Sequence, residues 1–226
     1  MTRPTIEEAC TRAEAARGSR FSAFLYGPML WWAERAGNAE RRRRLLAGAR
    51  GSVLEIGAGT GHNLSHYPNG LERLVLAEPE QNMARRLEGR VARVGVTAEV
   101  VRAPAEALPF DDDSFDTVVS TFVLCTVEDP SEALAETARV LRSGGSLLFL
   151  EHVRSERERL ADWQDRLHRP WRSFADGCNC NRRTHQLLER AGFRTTAIAH
   201  AEWRRMPPII RPLVSGSAHP AAGTWS

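Results

Sequence analysis

The chain has 226 residues, enough for one large domain or for a domain with a small appendage. Hydrophobic residues make up 42% and charged residues 26%, ordinary globular values, and a net charge of +3 gives no sign of a general nucleic-acid binder. All 31 basic residues are Arg, so a Schiff-base lysine, a lysine-bound cofactor and a phosphate-loop lysine are excluded.

The opening "MTRPTIEEACTRAEAARGSR" is polar and charged, unlike a secretory signal. Residues 1–50 read as a helical extension or lid. Their apolar stretch "FSAFLYGPMLWW" falls short of a membrane span, which leaves peripheral membrane contact open but no stable insertion. Tyr26 and the pair Trp31–Trp32 could close a pocket as an apolar lid, or simply pack the N-terminal helices. The run Arg41 to Arg44 reads as a solvated helix face.

From residue 52 short β-branched runs ("SVLEIG", "RLVLAE", "AEVVRA", "DTVVSTFVL", "GSLLFLEHV") alternate with helical stretches ("QNMARRLEGRVAR", "SEALAETARVLR"). This alternation predicts an α/β fold with a seven-stranded, mostly parallel, doubly wound sheet across residues 51–218. A late helical insertion, "RSERERLADWQDRLHRPWRSF", precedes the helix "NRRTHQLLERAG" and the last strands, "FRTTAIAHAEW" and "PLVSGSAHP"; residues 219–226 read as a tail. Cys10, Cys125, Cys178 and Cys180 are scattered, as in a cytoplasmic protein with reduced thiols.

"VLEIGAGTGHN" carries Gly57, Gly59 and Gly61 after the first strand and is expected to open a helix, whose N–H groups would face a ligand. Its spacing is not the G-x-G-x-x-G dinucleotide fingerprint, because residue 62 is His. Glu55 close by would repel a pyrophosphate and welcome a cation, which favours a sulfonium ligand over NAD. His62 and His66 read as structural, with His62 able to touch the cofactor.

"LEIGAGTGHN", "AEPEQNM", "AEALPFDDDSFDTVVS" and "LRSGGSLLFLEHV" resemble the successive motifs of class I S-adenosylmethionine-dependent methyltransferases. The resemblance implies a Rossmann-like fold with S-adenosylmethionine as cofactor. It maps cofactor contacts onto Glu55, Gly57, Ala58, Gly59, Gly61, Asn63, Glu78, Pro79, Met83, Ala105, Glu106, Thr121 and Phe122. Glu78 would grip both ribose hydroxyls. Pro104 stands where the family's adenine-binding aspartate usually lies, so Ala105 and Glu106 would serve through their backbone.

"LEHVRSE", "DGCN" with "LLERAGF", "VLCTV" and "RPLVSGSA" narrow the resemblance to the methyltransferase-like thiol S-methyltransferases. That implies methylation of small or lipophilic thiols on sulfur. A phenol, quinone or amine acceptor is the rival reading, and a cofactor-binding module without turnover is another. Asp176 and His152 are the candidate catalytic residues; Tyr26, Trp31, Glu151 and Cys178 are the candidate acceptor contacts. Asn179 is expected to cap the following helix. The C-x-C pair lacks zinc-site spacing, and no metal is expected.

Overall fold

The computed structural model describes residues 5–16, 37–175, 177–203 and 206–221. Helix α1 (Ile6–Ala16) and helix α2 (Ala39–Leu46) precede strand β1 (Ser52–Ile56), β2 (Arg73–Ala77), α3 (Gln81–Val94), β3 (Glu99–Val101) and β4 (Phe115–Thr121). Helix α4 (Pro130–Val140), β5 (Leu141–His152), α5 (Glu158–Phe174), α6 (Thr184–Arg190), β6 (Phe193–Glu202) and β7 (Pro212–Pro220) complete the order.

The expected seven-stranded sheet is present, in the order β3-β2-β1-β4-β5-β7-β6. Strands β3 to β5 run parallel; β7 alone inserts antiparallel, between β5 and β6. All five β1 residues are buried, as a strand covered on both faces requires.

Side-chain alternation along the strands divides the core. Leu54, Val75, Leu147 and Phe149 point to the side of α4 and α6, where they join Leu134 and Leu188. Val53, Leu74, Leu76 and Leu148 face the other side with Leu46 of α2 and Leu87 of α3. A third cluster, with Cys125, Leu150, Ala175, Cys178, Cys180, Trp203 and Ile210, lies between β5 and the segment that follows it.

Local sequence fixes the helix ends. The Glu80 carboxylate caps α3 by accepting the N–H groups of Asn82 and Met83 at 2.9 and 2.8 Å, and Gly95 closes it in the left-handed region. Asp129 caps α4 in the same way, with Pro130 at its first position.

The glycine segment departs from expectation. It runs through consecutive turns into a 3₁₀ turn at Leu64–His66, with no α-helix. Gly57, Gly59 and Gly61 all have positive φ (58°, 57° and 81°), and Tyr67, placed before Pro68, is extended. The glycines keep the chain out of helical geometry at the start, and the proline stops it at the end.

Candidate active site

A cavity of about 470 Å³ opens along the carboxyl edge of the parallel strands. Sheet order sets its layout. Glu78 and Pro79 follow β2, and Pro104 to Ala107 follow β3, so they line one end; the glycine turns after β1 form the middle. Thr121 and Phe122 from β4, and His152 from β5, line the other end with Cys125, Ala175, Cys178 and Trp203. Ala9 and Ala13 of α1 add to the wall.

At the first end the Glu78 carboxylate is held by backbone. It accepts the Gly59 N–H at 2.8 Å and the Glu80 N–H at 3.0 Å. A Cβ on Gly59 would meet nothing within 4 Å, whereas one on Gly57 would strike Val123, and one on Gly61 would strike Leu64 and Leu87. Gly57 and Gly61 therefore serve packing, while Gly59 leaves room beside Glu78. The Glu106 carboxylate accepts the Glu128 N–H at 3.1 Å, tying the turn after β3 to the approach to α4. Burial raises its pKa.

A buried polar network lies at the middle. The Asn63 amide donates to Glu55 at 2.9 Å and to Thr121 at 3.0 Å, while its oxygen accepts from Arg42 at 2.8 Å. Arg42 also donates to Thr121 Oγ1 at 3.0 Å, and its guanidinium lies 5.4 Å from the Phe122 ring centre. Tyr67 Oη donates to Glu55 at 2.7 Å. Burial pushes the Glu55 carboxyl up to about 7 against these donors and the Arg42 charge.

Arg42 corrects the reading of residues 41–44 as wholly solvated: it is 6% exposed and lines the cavity. The signal was present in sequence, because Arg42 and Leu46 stand four residues apart and share the buried face of α2.

At the other end, Phe122, His152 and Trp203 form an aromatic cluster with ring centres 4.8 to 5.7 Å apart. His152 is buried, which drives its pKa down to about 4, with the Ile210 backbone offsetting part of the effect. Its ring is neutral at physiological pH, and Nδ1 meets no hydrogen-bond partner.

Glu151 does not line the cavity. It is wholly buried beneath the turn after β4, where it accepts Ser120 Oγ at 2.7 Å and the N–H groups of Val123, Leu124 and Cys125. Strand alternation explains the correction, since neighbours 151 and 152 point to opposite sides. Asn179 is not a helix cap either. It donates to the carbonyls of Gly177 and Cys125, four residues ahead of Arg183, the residue preceding α6. Ala58, His62, Met83 and Ala105 line the cavity, and Asn63 reaches it through the network. Asp176, Tyr26 and Trp31 lie outside the described residues. Trp203 and Cys125, unselected in the sequence, enter from β6 and the turn after β4; only the fold brings them beside Cys178.

Residues 54–149 match the model of the methyltransferase domain family. The chain is 36% identical over 171 residues to human thiol S-methyltransferase TMT1A, covering 74% of this chain and 70% of the relative. It is 37% identical over 177 residues to human thiol S-methyltransferase TMT1B, covering 76% and 70%. The chain belongs to the thiol S-methyltransferase TMT1 family. A solved S-adenosylmethionine-dependent methyltransferase from Thermotoga maritima shares the fold, with a TM-score of 0.64 at 22% identity over 88% of this chain and 97% of that one.

This member is a methyltransferase whose cofactor is S-adenosylmethionine. The cavity fits that group. A carboxylate presented by two backbone N–H groups suits a diol, the open space at Gly59 admits a ligand against the backbone, and the buried acid Glu55 suits a cation. Among the described residues no helix is long and apolar enough to cross a membrane.

Proposed function

We propose that the protein methylates small or lipophilic thiols on sulfur, in a reducing cytoplasmic setting to which its four free cysteines are suited. One observation carries this reading beyond family membership. The cavity continues past the network of Arg42, Asn63 and Glu55 into an end lined by Phe122, Cys125, His152, Ala175, Cys178 and Trp203. Among the described residues, that end offers apolar and aromatic surface with a neutral imidazole, and so suits an uncharged, lipophilic acceptor.

In the proposed assignment Glu78 holds the ribose hydroxyls, and Pro104 to Ala107 flank the adenine. Gly57 to Gly59, Glu55 and Thr121 flank the methionine portion. S-adenosylmethionine supplies an electrophilic methyl group on a sulfonium sulfur. Phe122 and Trp203 then align the acceptor and keep water from the transfer line, on which an in-line displacement depends.

An ordinary thiol has a pKa near 8.5 and reacts as its thiolate. The depressed basicity of His152 suits acceptance of an S–H hydrogen bond better than lasting removal of the proton. We assign orientation of the acceptor to His152 Nδ1, which meets no hydrogen-bond partner, and keep Asp176, two residues before Cys178 in the sequence "DGC", as the candidate for proton removal.

The test is S-adenosylhomocysteine production with a panel of small alkyl thiols, phenols, quinols and amines at pH 7 and pH 9. Turnover confined to thiols and rising with thiolate fraction supports the reading. Turnover of phenols or amines alone would discard sulfur as the target.

A further inference from the structure

Cys125, on the turn after β4, and Cys178, on the turn after α5, are 53 residues apart in sequence, yet their Sγ atoms stand 3.9 Å apart. Both are free, both are buried, and both line the acceptor-side end of the cavity. Methyl transfer, as assigned above, uses neither sulfur as a nucleophile.

The two turns are already fastened together. The Asn179 backbone N–H donates to the Cys125 carbonyl at 2.7 Å, and its side-chain amide reaches the same oxygen at 3.3 Å. Arg182 adds two bonds, to the carbonyls of Leu124 at 2.6 Å and Val127 at 2.7 Å. Glu151 fixes the first turn from below through the Cys125 N–H. Two sulfurs on segments held in this way need only close by about 2 Å to reach a disulfide length of ~2.05 Å, a displacement within reach of side-chain rotation. Cys180, the other cysteine of the second turn, is buried but does not line the cavity.

We propose that Cys125 and Cys178 form a dithiol modification site that takes low-molecular-weight disulfides, the oxidised counterparts of the thiol acceptors, and closes the acceptor end by forming an internal disulfide. The proposal rests on the thiol reading in one respect: the same end of the cavity must admit small sulfur compounds.

The step balances. The Cys178 thiolate attacks one sulfur of the disulfide R–S–S–R, giving a mixed disulfide and releasing RS⁻, which takes up a proton equivalent to the one that Cys178 lost. Cys125 then attacks the Cys178 sulfur, its proton passing to the second departing thiolate. The products are one protein disulfide and two molecules of RSH; the pair is oxidised by two electrons and the small disulfide is reduced. The neighbouring Cys178 and burial both hold the Cys125 thiol protonated, which leaves the first attack to Cys178; Cys125 takes the second role by position, its Sγ 3.9 Å from the sulfur it attacks. The internal bond pins the turn containing Cys178 against the turn carrying Phe122, which fixes the acceptor wall and leaves the Glu78 end unchanged.

The test incubates the full-length protein with excess hydroxyethyl disulfide and follows free-thiol number, intact mass and disulfide-linked peptides. The expected product has lost two of its four thiols, weighs two hydrogens less, and carries a Cys125–Cys178 cross-link. Its turnover of thiols is lost while S-adenosylhomocysteine affinity is kept, and both thiols and turnover return with a phosphine reductant, which is not itself a thiol. Cys10→Ser should behave as wild type; Cys178→Ser should form no internal link. Four unreacted thiols, a persistent mixed disulfide, a Cys178–Cys180 link, or a linked enzyme with full turnover would each overturn the proposal. Because the link is read by mass, an enzyme that cross-links but methylates no thiol even in its reduced form would refute the function proposed above and leave the modification site standing. Where Cys178→Ser fails to fold, the peptide map of the wild-type protein decides alone.

Discussion

Glu151 Oε1 accepts the backbone N–H of Leu124 at 3.0 Å, across the junction between β5 and the turn that leaves β4. The same carboxylate takes the N–H groups of Val123 and Cys125, so three successive amides converge on one buried acid. This anchorage holds Phe122 at a φ of +60°, a conformation that a bulky residue keeps only when its surroundings enforce it. We predict that Glu151→Gln, which replaces an acceptor oxygen with an N–H₂ facing donors, destabilises the fold by about 2–3 kcal/mol. That corresponds to a fall in melting temperature of roughly 5–10 °C for a chain of this size. Calorimetric melting without a measurable shift would remove Glu151 from this role.

Glu78 and Gly59 give the sharpest binding prediction. The carboxylate is already oriented by two backbone donors, so a diol placed against it would meet oxygens that are fixed in place. Glu78→Ala should weaken S-adenosylmethionine by about 1.5–3 kcal/mol, roughly 10- to 150-fold, while a well-folded protein persists. Titration calorimetry that returns wild-type affinity would end the ribose assignment.

The sheet and its binding edge were legible in the sequence because they depend on local signals: strand-helix alternation, glycines between a strand and a turn, and an acid at the end of β2. The glycine turns were legible as a ligand loop but not as helix-free, since that outcome depends on three positive φ angles followed by Pro68. Glu151 was misplaced for another reason. Sequence puts it at the productive end of β5, and only the pairing of β4 with β5 shows that it faces the turn amides. Arg42 stands out from its identical neighbours only by its spacing of four from Leu46, and the approach of Cys125 to Cys178 has no local signature across 53 residues.

His152 makes stability depend on pH with a definite sign. Its folded pKa of about 4 lies below the ordinary value of 6.5, so the unfolded chain takes up the proton first. The contribution is therefore complete above about pH 6.5 and is lost as pH falls toward 4, amounting to about 3 kcal/mol. We predict that His152→Phe, which preserves an aromatic ring between Phe122 and Trp203, removes this acid limb. Denaturant titrations at pH 7 and pH 4.5 should show the gap between variant and wild type moving in the variant's favour at the lower pH. A gap independent of pH would contradict it.

Glu55 works in the opposite direction. Its folded pKa, about 7 against an ordinary 4.5, means that ionisation inside the fold is resisted until neutral pH, and stability from this group declines as pH rises between those values. A bound cation favours the ionised form. S-adenosylmethionine affinity should therefore rise about tenfold from pH 6 to pH 8, as the ionised fraction does around a pKa of 7. Glu55→Gln should flatten the profile, and a slope unchanged by that substitution would assign the dependence to another group.

Arg42 sets where that titration falls. Its charge lowers the Glu55 pKa, and its Nη1 bond to Asn63 Oδ1 orients the amide that donates to Glu55. Replacing it with the apolar Arg42→Met removes the charge and leaves the buried amide oxygen of Asn63 without that donor, while the stem still packs along α2. We predict that the midpoint of the affinity profile then moves above pH 7, with a uniform loss of stability superimposed. Arg42→Lys, which keeps the charge but not the planar donor pair, should restore most of the midpoint and only part of the stability. The two variants thus separate the electrostatic role of Arg42 from its packing role. A midpoint that stays at wild-type pH in Arg42→Met would show that Glu55 is tuned by Asn63 and Tyr67 alone.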